Sequence, residues 1–395
     1  MRILTFLNVS NRSRMQADSG YIFYNLLSPY FTKQNSFYFA SPEPLSDCNC
    51  IHINKEFGFN KYEVRFSFDW SKVMEIISKV SPDVLIVNQV EQVPHYKAII
   101  QALGINVSIV SYAHYIPYLF VNNVFQYDES LNNGGIGFSV CMSFLSGLEM
   151  SDVVFTHSQT SKDYLRKLYA KYSIHFCEEK FKINPPPYDP FLLDNNTQCS
   201  KRIIYNHRLY RHYGTDFLFN LAKAITSKYN KIEVDVFDVL GERTAIQKRM
   251  DPSVDIARET LSKINGVKLI NDTHKRARYY ECLKGALFSI APYRQNCIWA
   301  MSCIDSLGMG VPVIAPDVAW FSEFIPKDLR YSSIDEAMDI IDKLINDSDF
   351  WRKKSAQANK LISSLIPSSP SPTSCPTWAR TRWARPWGKP START

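Results

Sequence analysis

Asn184-Pro-Pro-Pro-Tyr-Asp-Pro190 decides how this 395-residue chain divides. Proline fixes φ and lacks an amide proton, so three in succession can continue neither a helix nor an interior strand. The polar stretch 194–201 follows, and together they form linker chemistry. A chain of this length also exceeds one ordinary hydrophobic core and suits two domains. The expected division is 1–183, a linker at 184–201, and a second domain at 202–365.

Before the linker, short apolar runs alternate with helical stretches. Strands are predicted at 2–9, 36–40, 83–88, 106–112 and 152–156, and helical periodicity occupies segments such as 21–27, 73–80 and 96–103. After the linker the alternation restarts. Strands are expected at 202–205, 233–239, 267–270, 287–291 and 311–315, with helices across 215–229, 275–285 and near 299–309. Such β–α alternation argues for parallel, doubly wound sheets. The fold class is therefore α/β, two Rossmann-like domains with a central cleft, where ligands lie beyond the carboxyl ends of the strands.

Composition agrees with a folded globular chain, 45% hydrophobic and 21% charged. No apolar run approaches the roughly 20 residues that span a bilayer. The amino-terminal run is too short and too soon interrupted for a secretory segment, so a cytoplasmic location is expected. Nine cysteines are scattered, with Cys48-Asn-Cys50 the close pair, which predicts reduced thiols and no zinc site. The formal charge of +8 suggests nucleic acid, but more than half of it comes from Arg380, Arg382, Arg385, Lys389 and Arg394. That segment, 366–395, is Ser/Pro-rich and then Trp/Arg-rich, unlike anything upstream. It reads as a disordered extension, and the alternative is an arm that grips nucleic acid or an anionic membrane.

The chemistry is concentrated in the second half. Cys303-Ile-Asp-Ser-Leu-Gly-Met-Gly-Val-Pro-Val-Ile-Ala315 combines an acid, a small-residue helix, Gly-x-Pro and a buried strand. A carboxylate near a helix end can accept two hydrogen bonds from a vicinal diol. Upstream, Ile203-Ile-Tyr-Asn-His-Arg-Leu-Tyr-Arg-His-Tyr-Gly-Thr-Asp216 places several cations in a loop after a strand. Arginine is a suitable bidentate phosphate ligand, and preplaced cations stabilise a departing diphosphate.

Together these segments resemble the retaining glycosyltransferases of family four, which have the GT-B architecture. The resemblance implies that Asp305 holds the ribose hydroxyls of a donor nucleotide. Arg208 matches an arginine that grips the diphosphate, with Arg211, His212 and Arg294 as further cations. The family's lysine before glycine is replaced here by Tyr213. A second family acid, eight positions before Asp305, falls on Cys297, so Asn296 or backbone amides near 297–299 are expected at the sugar. Val110-Ser-Tyr-Ala-His-Tyr115 resembles the family's acceptor-side strand, which makes His114 the residue that contacts sugar or acceptor. His157 resembles a strand-end position that is usually structural. Gly20 opens the helix after the first loop, where glycine amides approach phosphate. Glu323 matches a glutamate in the helix after the Gly-x-Pro strand. Asp347-Ser-Asp349 has the form of a metal-binding D-x-D but sits in a late helical segment, and no metal or separate cofactor is expected.

The implied activity is transfer of a sugar from a nucleotide-sugar to a hydroxyl acceptor, with retention and without metal. The acceptor would be a glycan, a lipid-linked sugar or a modified DNA base, and the aromatic loop 112–127 could stack on any of them. The alternatives are a nucleotide-sugar epimerase or hydrolase, and a non-catalytic nucleotide-sugar binding protein.

Overall fold

The computed structural model describes residues 1–6, 24, 36–41, 49–53, 68–121, 124–128, 131–132, 134–186, 201–238, 248–249, 252–271 and 276–365. Gly20 and its loop, most of the predicted helix at 21–27, the linker beyond Pro186 and the tail 366–395 lie outside them.

The first half opens with β1 (Arg2–Phe6), β2 (Ser36–Ser41) and β3 (Cys50–His52). Helix α1 (Trp70–Val80) leads to β4 (Val84–Val87), and α2 (Val93–Ala102) to β5 (Ser108–Tyr112). An antiparallel hairpin of β6 (Tyr118–Val121) and β7 (Val124–Tyr127) follows. The half closes with α3 (Gly137–Met150), β8 (Val153–Thr156), α4 (Gln159–Lys171) and β9 (Phe181–Ile183).

Its strands form one sheet in the order β3-β2-β1-β4-β5-β8-β9, every pair parallel. In β4 and β8 every residue is buried, as expected of a parallel sheet covered by helices on both faces. Helix α1 shows how the sequence writes these layers. Val73, Ile76, Ile77 and Val80 recur at helical spacing and are its buried face, while the Asp69 side chain accepts the Lys72 amide at 2.9 Å and caps the start.

The second half contains β10 (Arg202–Tyr205), α5 (Thr215–Lys228), β11 (Glu233–Asp238), α6 (Ser253–Ser262) and β12 (Val267–Asn271). Then come α7 (Arg276–Leu283), β13 (Phe288–Ile290), α8 (Met301–Gly308), β14 (Val313–Pro316), α9 (Ala319–Phe324) and β15 (Arg330–Tyr331). Helices α10 (Ile334–Asn346) and α11 (Ser348–Leu365) complete it. The strand order is β12-β11-β10-β13-β14-β15, again all parallel.

Two sequence expectations change. The aromatic segment 112–127 supplies both strands of the β6–β7 hairpin, while β3 and β9 extend the first sheet at both edges. Asp347-Ser-Asp349 is helix chemistry: the Asp347 carboxylate accepts the Asp349 and Phe350 amides at 3.0 and 2.9 Å and starts α11.

The two halves meet at the amino end of α4. Ser158 caps that helix and its hydroxyl also donates to the Ile298 carbonyl at 2.9 Å. The Glu323 carboxylate, on α9, accepts the Gln159 and Thr160 amides at 3.0 and 2.8 Å and the Thr160 hydroxyl at 2.7 Å. A helix of one half thus starts on an anion supplied by the other, which suits the positive end of its dipole.

Candidate functional site

The carboxyl ends of β10 and β13 send out the two loops that build the site. The loop after β10 turns through Arg211–Tyr213 to Gly214, whose φ of 74° favours glycine. A side chain there would also collide with Tyr293, since a Cβ would lie 2.5 Å from the Tyr293 Cβ and 2.7 Å from its carbonyl oxygen. This close approach brings Arg211 and His212 beside the loop that carries Tyr293, Arg294 and Asn296.

A cleft of about 590 Å³ lies between these loops and the β6–β7 hairpin. Arg211, His212, Arg294 and Asn296 line one wall. Gln126, Tyr127, Asp128 and Asn132, from the first half, line the other. One wall is cationic, and the other offers amides, a phenol and one carboxylate.

Arg294 is placed by its neighbours. Its Nε donates to the Asn296 Oδ1 at 3.1 Å and its guanidinium lies 5.1 Å from the Tyr213 ring centre. Burial works against its charge, but Tyr213, Cys297 and, across the cleft, Asp128 outweigh it and hold the group above its ordinary range. His207 reports the same positive field. Burial first, then Arg208, Arg294 and His212, push its imidazole down to about 3. A neutral His207 accepts the Arg208 amide on Nδ1 at 2.8 Å.

Arg208 and His114 stand differently from the residues just described. Arg208 is exposed and does not line the cleft, though its charge reaches His207. His114 is exposed just after β5, outside the lining residues, beside the buried His157. His157 packs 5.0 Å from the Tyr112 ring and 5.9 Å from that of Trp299, linking the halves behind the cleft.

Asp305 requires a correction. The resemblance implies an acid that reaches a donor's ribose hydroxyls, but the residue is 2% exposed. Helix α8 is buried from Cys303 to Gly308, so its acid points into packed structure. The Asp305 carboxylate accepts the Tyr279 hydroxyl at 3.0 Å, and that hydroxyl accepts the Asn206 side-chain amide at 2.9 Å. Asn206 further donates to the Ser302 carbonyl and the Ser306 hydroxyl, at 3.0 and 3.1 Å. The acid therefore belongs to a buried polar network that ties the end of β10 to α7 and α8.

Cys297 does not replace the missing acid. It is 1% exposed, and burial pushes its thiol up to about 11 despite the opposing charge of Arg294. Among the described residues there is no cluster of three His, Cys, Asp or Glu side chains able to hold a metal ion.

Of the first-half wall, Gln126 and Tyr127 lie in the aromatic segment 112–127 expected at the acceptor, whereas Asp128 and Asn132 are not among the sequence candidates. Tyr118, Phe120, Phe125 and Tyr127 alternate on both sides of Asn122-Asn123, a hairpin signal that went unused. Asp128 follows immediately.

No family model matches the sequence, and no curated protein matches it. Solved structures do match in fold. Sucrose-phosphate synthase from Thermosynechococcus elongatus superposes with a TM-score of 0.67 at 13% identity, covering 92% of this chain and 94% of its own. HepE from Anabaena, in complex with UDP and glucose, gives 0.63 at 11%, covering 92% and 95%. The chain has the GT-B fold. A TarM variant from S. aureus, in complex with fondaparinux, alpha-GlcNAc-glycerol and UDP, shares this GT-B core more partially. Its TM-score is 0.56 at 14% identity, over 75% of this chain, which spans only 55% of that protein's length.

Proposed function

We propose that the cleft binds a nucleotide-sugar and that the chain is a glycosyltransferase. It would move the sugar to a hydroxyl acceptor, with retention and without a metal ion. The observation that carries this reading is the convergence of Arg211, His212, Arg294 and Asn296 on one wall of a cleft between two parallel sheets. Cations already in place are what a departing diphosphate needs. HepE and the TarM variant, both bound to UDP, support the choice of donor class.

In the proposed reaction, Arg211, His212 and Arg294 hold the diphosphate, with Arg208 adding charge from beside His207. The bond between the sugar C1 and the diphosphate oxygen breaks, and the electron pair leaves with the diphosphate. The acceptor oxygen bonds to C1 from the same face, and its proton passes to the departing phosphate. Asn296 contacts the sugar and His114 orients the acceptor.

A glycan acceptor fits the opposing wall of Gln126, Tyr127, Asp128 and Asn132. Amide, phenol and carboxylate groups pair with hydroxyls, and a carboxylate repels a nucleic-acid backbone. A cysteine at 297, where the resembled family has an acid, favours a second reading, a nucleotide-sugar binding protein without turnover.

Thermal shift with UDP in the absence of added magnesium tests the donor site, because a ligand of the native state must stabilise it. Stabilisation is expected, and Arg294→Ala should remove most of it. A strict magnesium requirement, or an unaltered shift in the variant, would move the phosphate site elsewhere. Incubating UDP-sugars with glycan acceptors then separates transfer from binding without turnover.

A further inference from the structure

Lys167 and Lys171 lie one turn apart on α4 and are both exposed. The other cations of this helix have acid partners: Lys162 pairs with Glu178 at 2.8 Å, and Arg166 with Glu178 at 2.6 Å and with Asp163. Neither Lys167 nor Lys171 has an ion pair among the described residues. Their ammonium groups rest on aromatic rings instead. Lys167 Nζ lies 5.5 Å from the Phe120 ring centre and 5.9 Å from that of Tyr164. Lys171 Nζ lies 4.6 Å from Phe125 and 5.6 Å from Tyr172.

Two like charges at this helical spacing repel one another. The rings attract each ammonium but carry no net charge to neutralise it. The pair is also continuous with the cleft. Phe120 lines the cleft, and the Tyr164 hydroxyl points across it to the Gln295 carbonyl at 3.5 Å. Phe120 and Phe125 face each other on the hairpin, ring centres 5.6 Å apart. The cationic row therefore starts at the cleft mouth and runs outward along the hairpin edge.

We propose that this row is an outer subsite for an anionic carbohydrate chain, whose acidic groups pair with Lys167 and Lys171. The proposal rests on the glycosyltransferase reading, since the chain held there is the acceptor whose uncharged end enters the cleft, leaving its acidic groups outside. Two other polyanionic partners fit less well. A lipid surface calls for a protruding apolar face, whereas both phenylalanines are half-buried and Val124 is the one large apolar residue of the hairpin that stands exposed. Single-stranded nucleic acid needs open ring faces for its bases, and here the ammonium groups lie over them.

The test uses the full chain and a labelled dextran sulfate fragment at low salt, with a neutral dextran fragment of the same length as control. The wild type should bind the sulfated fragment and not the neutral one. Lys167→Gln/Lys171→Gln should weaken that binding about five- to tenfold, the scale of losing two exposed ion pairs. The same variant should keep its melting temperature and its UDP shift, since both side chains are exposed and outside the cleft lining. Equal affinities of wild type and variant would overturn the proposal. So would an equal loss in Arg294→Ala, which would put the polyanion in the donor cleft. If the double substitution abolished binding to phosphatidylglycerol vesicles but spared dextran sulfate, the row would be a membrane contact. Absence of any UDP shift in the wild type would count against the donor reading, not against this subsite.

Discussion

Lowering the pH from about 7 to about 5 tests how His157 and His207 are packed, one in each half of the molecule. Burial, with the nearby His114 adding to it, pushes His157 down to about 3. Burial, then Arg208, Arg294 and His212, hold His207 at about 3 as well. In the unfolded chain both imidazoles titrate near pH 6.5. Between those values the unfolded state binds protons that the folded state refuses, so stability must fall as pH falls. The contribution is complete above about pH 6.5 and is lost toward 3, at about 1.4 kcal/mol per pH unit for each histidine. At about pH 5 each imidazole therefore costs about 2 kcal/mol. Urea denaturation at the two pH values, followed by circular dichroism, reads this directly. The neutral variant His157→Gln should lose that share of the pH dependence belonging to the first half and keep the His207 share. An identical pH dependence in wild type and variant would refute the buried, neutral His157.

Gly214→Ala should cost about 1–3 kcal/mol, because it forces a positive φ and drives a methyl group into Tyr293; an unchanged melting temperature would contradict that contact. Asp305→Ala removes the acceptor of the Tyr279 hydroxyl in a buried network and should cost about 1–3 kcal/mol. A domain of this size registers that as a fall of roughly 2–4 °C per kcal/mol, and a variant as stable as wild type would place the acid in solvent after all. Glu323→Gln keeps the shape of the cap but removes its charge, so the junction should weaken by about 0.3–1 kcal/mol. Faster hydrogen exchange at the Gln159 and Thr160 amides is the expected signature, and unaltered exchange would discount the contact.

Several elements were legible because their cause is local. Val73, Ile76, Ile77 and Val80 mark a helix by spacing alone, and the fully apolar runs at β4 and β14 mark buried parallel strands. Arg211, His212, Arg294 and Asn296 lie in two loops distant in sequence, and the structure brings them to one wall of the cleft. Asp305 was misplaced for a physical reason. A pattern of acid, helix and Gly-x-Pro fixes which helix carries the carboxylate, but not which way that helix is rolled against its sheet. The roll follows from packing: Cys303, Ile304 and Leu307 all belong to the second core, and Asp305 goes in with them.

The sequence by itself determined the α/β alternation and the chemical types gathered in each loop, because dihedral limits and hydrophobic periodicity act over a few residues. Tertiary structure alone decided the site. Asp128 faces Arg294, Glu323 starts a helix of the other half, and Lys167 lies over Phe120 only because separate segments dock in one register. Those pairings are set by the shapes of two packed sheets and their covering helices. No local pattern in the chain encodes such distances, which are fixed only when apolar faces close over one another and exclude water.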